Sequence, residues 1–144
     1  MPKRLVLNTT ASAPLGLYWL ANPVAEVGDL ALVYPPPHLA RWLANRGYLP
    51  VNVPLIKRVV AVEGQTVCGA DQRVMIDGRA VAEILQRDRL GRPLAGIKGC
   101  RRLARAEVLL LNADAPGSLD GRYFGPVPRQ AVAGRLLPLW TWGR

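Results

Sequence analysis

The chain has 144 residues, of which half are hydrophobic and a fifth are charged, and its formal net charge is +9. A domain of this length buries most of the surface of its unfolded chain, and this composition excludes a chain that is disordered throughout. The 14 glycines and 13 prolines disfavour a helical bundle or a coiled coil. One histidine and two cysteines are too few for a histidine-built metal centre or a zinc-finger array, so we predict no metal and no cofactor.

Short apolar runs bounded by turn residues predict a mainly β chain. Asp77-Gly78 is a hairpin signal between two of these runs, and a loop-rich excursion is predicted over about 85–103. No linker or repeat interrupts the pattern, so residues 1–144 are predicted to form one domain. Strands are predicted over 5–7, 29–34, 55–62, 65–67, 73–76, 79–81, 107–111 and 132–139.

One segment, 37–46, has the features of a helix. Proline stands at its start, where a missing backbone N–H costs nothing. Leu39, Trp42 and Leu43 recur at helical spacing, and Gly47 follows as a stop signal.

The positive charge is concentrated between Arg87 and Arg105, where seven basic residues stand against the single acid Asp88. The run is either a solvated loop or a surface that docks a substrate or an anionic membrane. Nucleic acid is not expected as the partner, because no aromatic residue in this run could stack on bases. No stretch near the amino terminus is apolar and long enough to span a bilayer, so we expect no membrane anchor in this chain.

Cys68 and Cys100 are the only thiols. In a reducing compartment they would be two small hydrophobic residues, and in an oxidising compartment an even pair favours a disulfide. The residues alone do not choose between these states.

Candidate catalytic residues are a serine and a lysine. Ser12 stands between small residues and is followed by Pro14 and Gly16, which keeps its hydroxyl accessible. A serine nucleophile needs a base, and the one histidine, His38, stands at a predicted helix start after three prolines. Lys57 instead lies in a predicted strand on the same face as apolar residues. It either extends its amine into solvent at a sheet edge, as a structural lysine would, or is buried. Burial there would lower its pKa and make a neutral amine available as a base.

Several boxes occur in a fixed order over residues 8–135, and together they resemble the type I signal peptidase family. Their forms are closest to its conjugative-transfer, TraF-type branch. The boxes are Asn8-x-Thr10-x-Ser12-x-Pro14-x-Gly16-x-Tyr18, Gly28-Asp29, Leu55-Ile-Lys57-Arg58-Val59-x-Ala61, Ser118-x-Asp120-Gly121-Arg122-Tyr123-Phe124-Gly125-Pro126-Val127-Pro128 and Gly134-Arg135.

The resemblance implies a role for each matched residue. Ser12 corresponds to the nucleophile and Lys57 to the general base of a serine–lysine dyad. Thr10 and the backbone N–H of Ser12 correspond to the oxyanion hole. Ser118 corresponds to the residue that orients the lysine, while Asp120 and Arg122 correspond to a charged pair that buttresses the site.

The resemblance also implies a fold, a reaction and a location. The fold would be the signal-peptidase or LexA-like β-fold of short antiparallel strands. The reaction would be endoproteolytic removal of the leader from a secreted precursor, namely a pilin-type subunit of a conjugation apparatus. The location would be the periplasmic face of the inner membrane, and in that oxidising compartment we predict a Cys68–Cys100 disulfide.

The chain departs from the family pattern at a few positions. Ala13 and Gly121 replace residues often found there, and only eleven residues precede Ser12, where relatives usually carry a membrane anchor. Two alternatives stay open: a LexA-like serine–lysine autoprotease, and a non-catalytic basic binding module.

Overall fold

The structure is a computed structural model that describes residues 5–8, 14–21, 26–50 and 52–142. Thr10 and Ser12 lie outside the described residues. Across the described part of the chain, the strands form a seven-stranded and a four-stranded sheet, in which every pairing is antiparallel. The predicted mainly β fold of short antiparallel strands is confirmed.

The larger sheet has the order β1-β2-β11-β3-β4-β9-β10, and its centre is its most apolar part. All residues of β3 are buried, as are all residues of β9 except its first. These two strands flank β4, so the middle of β4 lies deep in the sheet. The strands are β1 (Leu5–Asn8), β2 (Leu15–Leu20), β3 (Leu30–Val33), β4 (Leu55–Ala61), β9 (Glu107–Leu111), β10 (Val127–Pro128) and β11 (Val132–Trp142).

The smaller sheet has the order β7-β6-β5-β8 and packs on the larger one through a shared apolar cluster that includes Ala61, Val74 and Leu109. The structure joins Cys68 to Cys100, which are opposite each other in the pairing of β5 with β8. The strands are β5 (Thr66–Ala70), β6 (Arg73–Ile76), β7 (Arg79–Glu83) and β8 (Gly99–Arg102).

Helix α1 (Pro37–Asn45) begins at the predicted proline and buries Leu39 and Leu43 against the core. It ends one residue before the predicted end, and Gly47 follows with a positive φ of 66° that glycine adopts without strain. A second, one-turn helix, α2 (Gly121–Phe124), was not predicted, because four residues carry no helical periodicity. Gly121 packs so close to β9 that a Cβ there would meet the Leu110 carbonyl oxygen at 2.7 Å, which accounts for glycine at this position.

Further differences from the sequence prediction concern strands, because β2 and β10 were not predicted and two other segments differ. The predicted loop excursion over about 85–103 contains β8, whose four residues are all exposed and therefore show no apolar alternation. The last strand extends beyond the predicted residue 139 to Trp142. Its first half pairs with β3 and alternates between buried and partly buried residues, whereas its second half pairs with β2 and is exposed.

The exposed half of β11 continues an apolar surface across β2 and β1. Direct pairing places Trp19 beside Leu5 and Leu137, and places Leu17 beside Trp140. Trp19 is 41% exposed and Trp140 is 72% exposed, whereas Leu15 and Leu17 are half-buried. We call this surface the tryptophan face; it comprises Leu5, Leu7, Leu15, Leu17, Trp19, Leu137, Trp140 and Trp142. Among the described residues, no helix is long and apolar enough to span a membrane.

Candidate active site

Lys57 lies in the middle of β4, and its side chain is completely buried. The strand buries Leu55, Val59 and Ala61 as well, which are the residues predicted to share its face. Its neighbour Arg58 is exposed, and the guanidinium donates to the carbonyl oxygen of Gly28. Alternation in β4 therefore sends one basic side chain outward and the other into the protein.

Burial lowers the pKa of the Lys57 amine, because the interior solvates an ammonium less well than water does. The nearby Tyr48 and Asp120 oppose this effect on the pKa, but desolvation is the larger influence. A lysine with a lowered pKa has a larger neutral fraction near neutral pH than an exposed lysine. Such an amine can accept a proton, as a general base must.

One hydroxyl fixes the direction of the Lys57 amine. Nζ of Lys57 donates to Oγ of Ser118 at 2.7 Å, and Ser118 is itself buried. The phenol of Tyr48 lies 3.3 Å from the same Oγ, and its ring centroid is 5.7 Å from Nζ. The turn that carries Ser118 is closed by a bond from its backbone N–H to the carbonyl oxygen of Ala115. The hydroxyl of Ser118, which lies on a tight turn, therefore fixes the position of the Lys57 amine.

Asp120 and Arg122 form a buried ion pair beside this turn. The two oxygens of Asp120 accept from the guanidinium of Arg122 at 3.0 and 2.9 Å, and both side chains are 1% exposed or less. Asp120 also accepts the backbone N–H of Arg122 and so caps α2. The guanidinium donates further to the carbonyl oxygens of Glu83, Asn112 and Ala115. The pair thus ties the smaller sheet to the turn that holds Ser118.

A groove of about 410 Å³ opens beside Ser118. Asn8, the last residue of β1, lines it together with Leu55 and Ile56 of β4. Both Asn8 Nδ2 and the phenol of Tyr18 donate to the carbonyl oxygen of Pro14, at 3.0 and 2.5 Å. These bonds connect Asn8 and Pro14, the described residues on either side of segment 9–13. That segment, which contains Thr10 and Ser12, is outside the described residues.

The comparisons with known proteins cover nearly the whole chain. The family described as "Signal peptidase, peptidase S26" matches residues 4–141. The chain belongs to this signal peptidase family. A conjugal transfer protein TraF of Agrobacterium fabrum (strain C58) is 39% identical, with 94% of this chain and 81% of that protein aligned. A plasmid transfer protein TraF of Escherichia coli is 34% identical, with 94% of this chain and 82% of that protein aligned.

A crystal structure of a signal peptidase I from Enterococcus faecalis V583 is similar at a TM-score of 0.49 and 19% sequence identity. The likeness covers 79% of this chain and 97% of that chain.

Two residues of this signal peptidase family member contact the site but were not assigned a role from the sequence. Tyr48 was assigned no role from the sequence, but its phenol lies 3.3 Å from the Oγ of Ser118. Asn112 follows β9; its amide donates to the carbonyl oxygen of Ile56 at 3.0 Å, and its N–H donates to Asp120 at 2.9 Å. Asn112 thus links the residue before Lys57 to the ion pair. A polar residue directly after a buried strand was the available signal.

His38 stands at the exposed start of α1, as predicted. It lines a second cavity, of about 590 Å³, together with Trp42 and Phe124. That cavity has no lining residue in common with the groove beside Ser118. Within the described part of the chain, no cluster of three or more histidine, cysteine, aspartate or glutamate residues could hold a metal ion.

Proposed function

We propose that this chain is a serine endopeptidase that uses Ser12 as its nucleophile and Lys57 as its general base. The observation that carries the proposal is the buried Lys57 amine, whose pKa is lowered by desolvation and which donates to Ser118. A structural lysine gains nothing from complete burial away from a paired carboxylate, whereas a base needs its neutral form. Membership in the signal peptidase family supports the assignment of Ser12.

The reaction follows from the properties of these groups. The neutral Lys57 amine takes the proton of the Ser12 hydroxyl, and the oxygen attacks the scissile carbonyl carbon. The hydroxyl of Thr10 and the backbone N–H of Ser12 stabilise the resulting oxyanion. The Lys57 ammonium then donates its proton to the leaving amine as the peptide bond breaks. Water, deprotonated by Lys57, releases the acyl group from Ser12.

Ser118, Asp120 and Arg122 act as positioning residues in this proposal. Ser118 holds the amine in one direction, so that its lone pair is available for the proton of Ser12. Asp120 and Arg122 hold the turn that carries Ser118. Fixed geometry matters here because a proton transfer requires approach within hydrogen-bond distance.

The proposed substrate is a secreted precursor whose leader is removed, namely a pilin-type subunit of a conjugation apparatus. The names of the relatives, which are plasmid and conjugal transfer proteins, support this substrate. The proposed place of action is the periplasmic face of the inner membrane, and the tryptophan face supports contact with an anionic membrane surface. It adjoins the groove, because Leu7 belongs to both.

The test is cleavage of a pilin-type precursor that carries its leader, reconstituted in vesicles and followed by mass spectrometry. Ser12→Ala and Lys57→Met should each abolish cleavage, and the double variant should be no worse than either alone, because the two groups act as a unit. Lys98→Met is the matched control, since Lys98 is an exposed lysine, and it should cleave normally. The product mass also shows whether water or the substrate's own amino group releases the acyl-enzyme.

The rival functions give different results in the same assay. A LexA-like autoprotease would cleave its own chain and leave the precursor intact. A non-catalytic basic binding module would cleave neither. If Lys57→Met keeps residual activity and a further His38→Gln change abolishes it, His38 would be the base. That result would contradict the proposed dyad.

A further inference from the structure

Arg89 stands at the tip of a turn that is closed by a bridge between Arg87 and Pro93 and by hydrogen bonds of Asp88. Asp88 accepts from the backbone N–H groups of Leu90 and Arg92, both at 2.9 Å, and from the guanidinium groups of Arg92 and Arg46 at 2.8 and 3.0 Å. Arg46 also donates to the carbonyl oxygen of Pro93. Asp88, the one acid in this basic run, is therefore fully used in closing the turn, and its charge is neutralised by residues other than Arg89.

The side chain of Arg89 reaches the rim of the groove beside Ser118. It lines that groove and also a smaller neighbouring cavity, in both cases with Tyr48 and Gly117. Among the described residues, Arg89 is the only charged side chain that lines the groove. It is exposed and forms no hydrogen bond or ion pair with any described residue. The rest of the lining is mostly apolar, so a positive charge faces a groove that does not neutralise it.

We infer that Arg89 selects substrates by binding a carboxylate group of the peptide in the groove. This inference rests on the proposed peptidase function, because it assigns Arg89 to the choice of substrate for that site. The planar guanidinium matches a carboxylate with two parallel hydrogen bonds. The carboxylate comes from an aspartate or glutamate side chain near the cut site or from the carboxyl terminus of the substrate. Arg89 is thus a specificity residue and takes no part in proton transfer.

The inference is tested by equilibrium binding to the Ser12→Ala chain, which separates binding from turnover. The probes are alanine-rich peptides with a neutral amino-terminal dye, in which Asp or its neutral counterpart Asn is moved along the sequence. Each peptide is made with a free carboxyl terminus and with an amidated one. We expect a carboxylate at the preferred position to tighten binding about fivefold, and added salt to reduce that preference.

Variants of the arginine assign the effect to one side chain. Arg89→Gln should abolish the preference, and Arg89→Lys should keep only part of it, because an ammonium lacks the two-pronged geometry. Arg105→Gln is the matched control, since Arg105 is an exposed arginine of the same basic run and does not line the groove. A preference that follows the Asp position identifies a side-chain carboxylate, and one that follows the free terminus identifies a terminal carboxylate. Either result supports the inference.

The inference is overturned if the chain binds none of these peptides, if no carboxylate improves binding, or if Arg89→Gln retains the preference. Its failure is distinguishable from failure of the proposed function by incubating the same peptides with the chain carrying Ser12. Cleavage of the peptides without a carboxylate preference would refute the inference about Arg89 and support the proposed peptidase function. An Arg89-dependent preference without cleavage of the peptides or the precursor would support the carboxylate site and refute the proposed peptidase function.

Discussion

Lys57 is the residue on which the candidate site depends, because its burial sets its chemistry. A fully buried lysine must lose its proton or carry an ammonium in a poorly solvating interior, and both alternatives cost free energy relative to the unfolded chain. The hydroxyl of Ser118 and the nearby Tyr48 and Asp120 compensate only partly, as the lowered pKa of Lys57 indicates. The site is thus expected to reduce stability at neutral pH in exchange for a reactive amine.

We predict that Lys57 gives the folding free energy a specific pH dependence. Between the lowered pKa in the folded state and the ordinary value of about 10.4, the unfolded chain binds more protons than the folded chain. The stability of the parent protein should therefore rise with pH in that window, by up to about 1.4 kcal/mol per pH unit. Lys57→Met lacks this contribution, so the difference in unfolding free energy between Lys57→Met and the parent protein should fall as pH rises. Urea denaturation between pH 7 and pH 10 measures it.

The control for this prediction is Lys98→Met, which removes an exposed lysine and should follow the parent curve at every pH. Parallel stability curves for Lys57→Met and the parent protein would show that the Lys57 pKa is not lowered in the folded state. This measurement needs no substrate, so it tests the buried amine independently of the proposed reaction.

At the scale of elements, β11 connects the core to an exposed apolar surface. Its first half is buried against β3, and its second half carries Leu137, Trp140 and Trp142 into solvent beside β2. Gly16 of β2 lies so close to this half of β11 that a Cβ would be 2.2 Å from the carbonyl oxygen of Trp140. Close pairing of the two strands thus requires glycine there. A tightly paired strand with two exposed tryptophans is suited to a membrane interface rather than to water alone.

We predict that the tryptophan face binds lipid vesicles. Trp19→Ser and Trp140→Ser should each weaken partitioning by about tenfold, because each removes an aromatic side chain from the apolar contact. Binding should be tighter to anionic than to zwitterionic vesicles and should decrease with salt, given the net charge of +9. Vesicle co-sedimentation measures both effects. Leu90→Ser serves as the control, since Leu90 is 76% exposed and lies outside the face; equal binding of all three variants and the parent protein would refute this role.

At the scale of the whole molecule, the covalent link lies away from the candidate site. The disulfide joins β5 to β8 in the smaller sheet, whereas Lys57 is in the larger sheet and its bond to Ser118 spans β4 and the turn before α2. β8 is exposed along its whole length and has little apolar surface to bury. We therefore expect the disulfide to stabilise the attachment of β8, and of the residues just before it, to β5.

Reduction of the disulfide should destabilise the protein without dismantling the site. Cross-linking residues 32 apart removes unfolded-state entropy worth about 3–4 kcal/mol in the chain-entropy model. Urea denaturation with and without reductant should show a loss of this order, while the pH dependence assigned to Lys57 persists. The double variant Cys68→Ser, Cys100→Ser should have the same stability as the reduced protein, and adding reductant should not change it. Two free thiols in unreduced protein from an oxidising compartment would contradict the predicted pairing.

Features that depend on local pattern could be predicted from the sequence. Alternation placed Lys57 on the apolar face of its strand, and proline, helical spacing and glycine located α1 to within one residue. The ordered boxes identified the family, because each box is short but their sequence along the chain is specific. These predictions hold in the folded protein because they rest on backbone propensity and on the side-chain period of each helix or strand.

The residues that meet across long sequence separations became known from the three-dimensional fold. β8 has no apolar alternation and forms because β5 lies beside it, and the exposed end of β11 is a strand because it pairs with β2. Tyr48 reaches Ser118 across 70 residues of sequence, Asn112 reaches Ile56 across 56, and Arg89 reaches the groove from a separate turn. Which strands become neighbours and which side chains meet depend on long-range contacts, which a local sequence pattern does not specify.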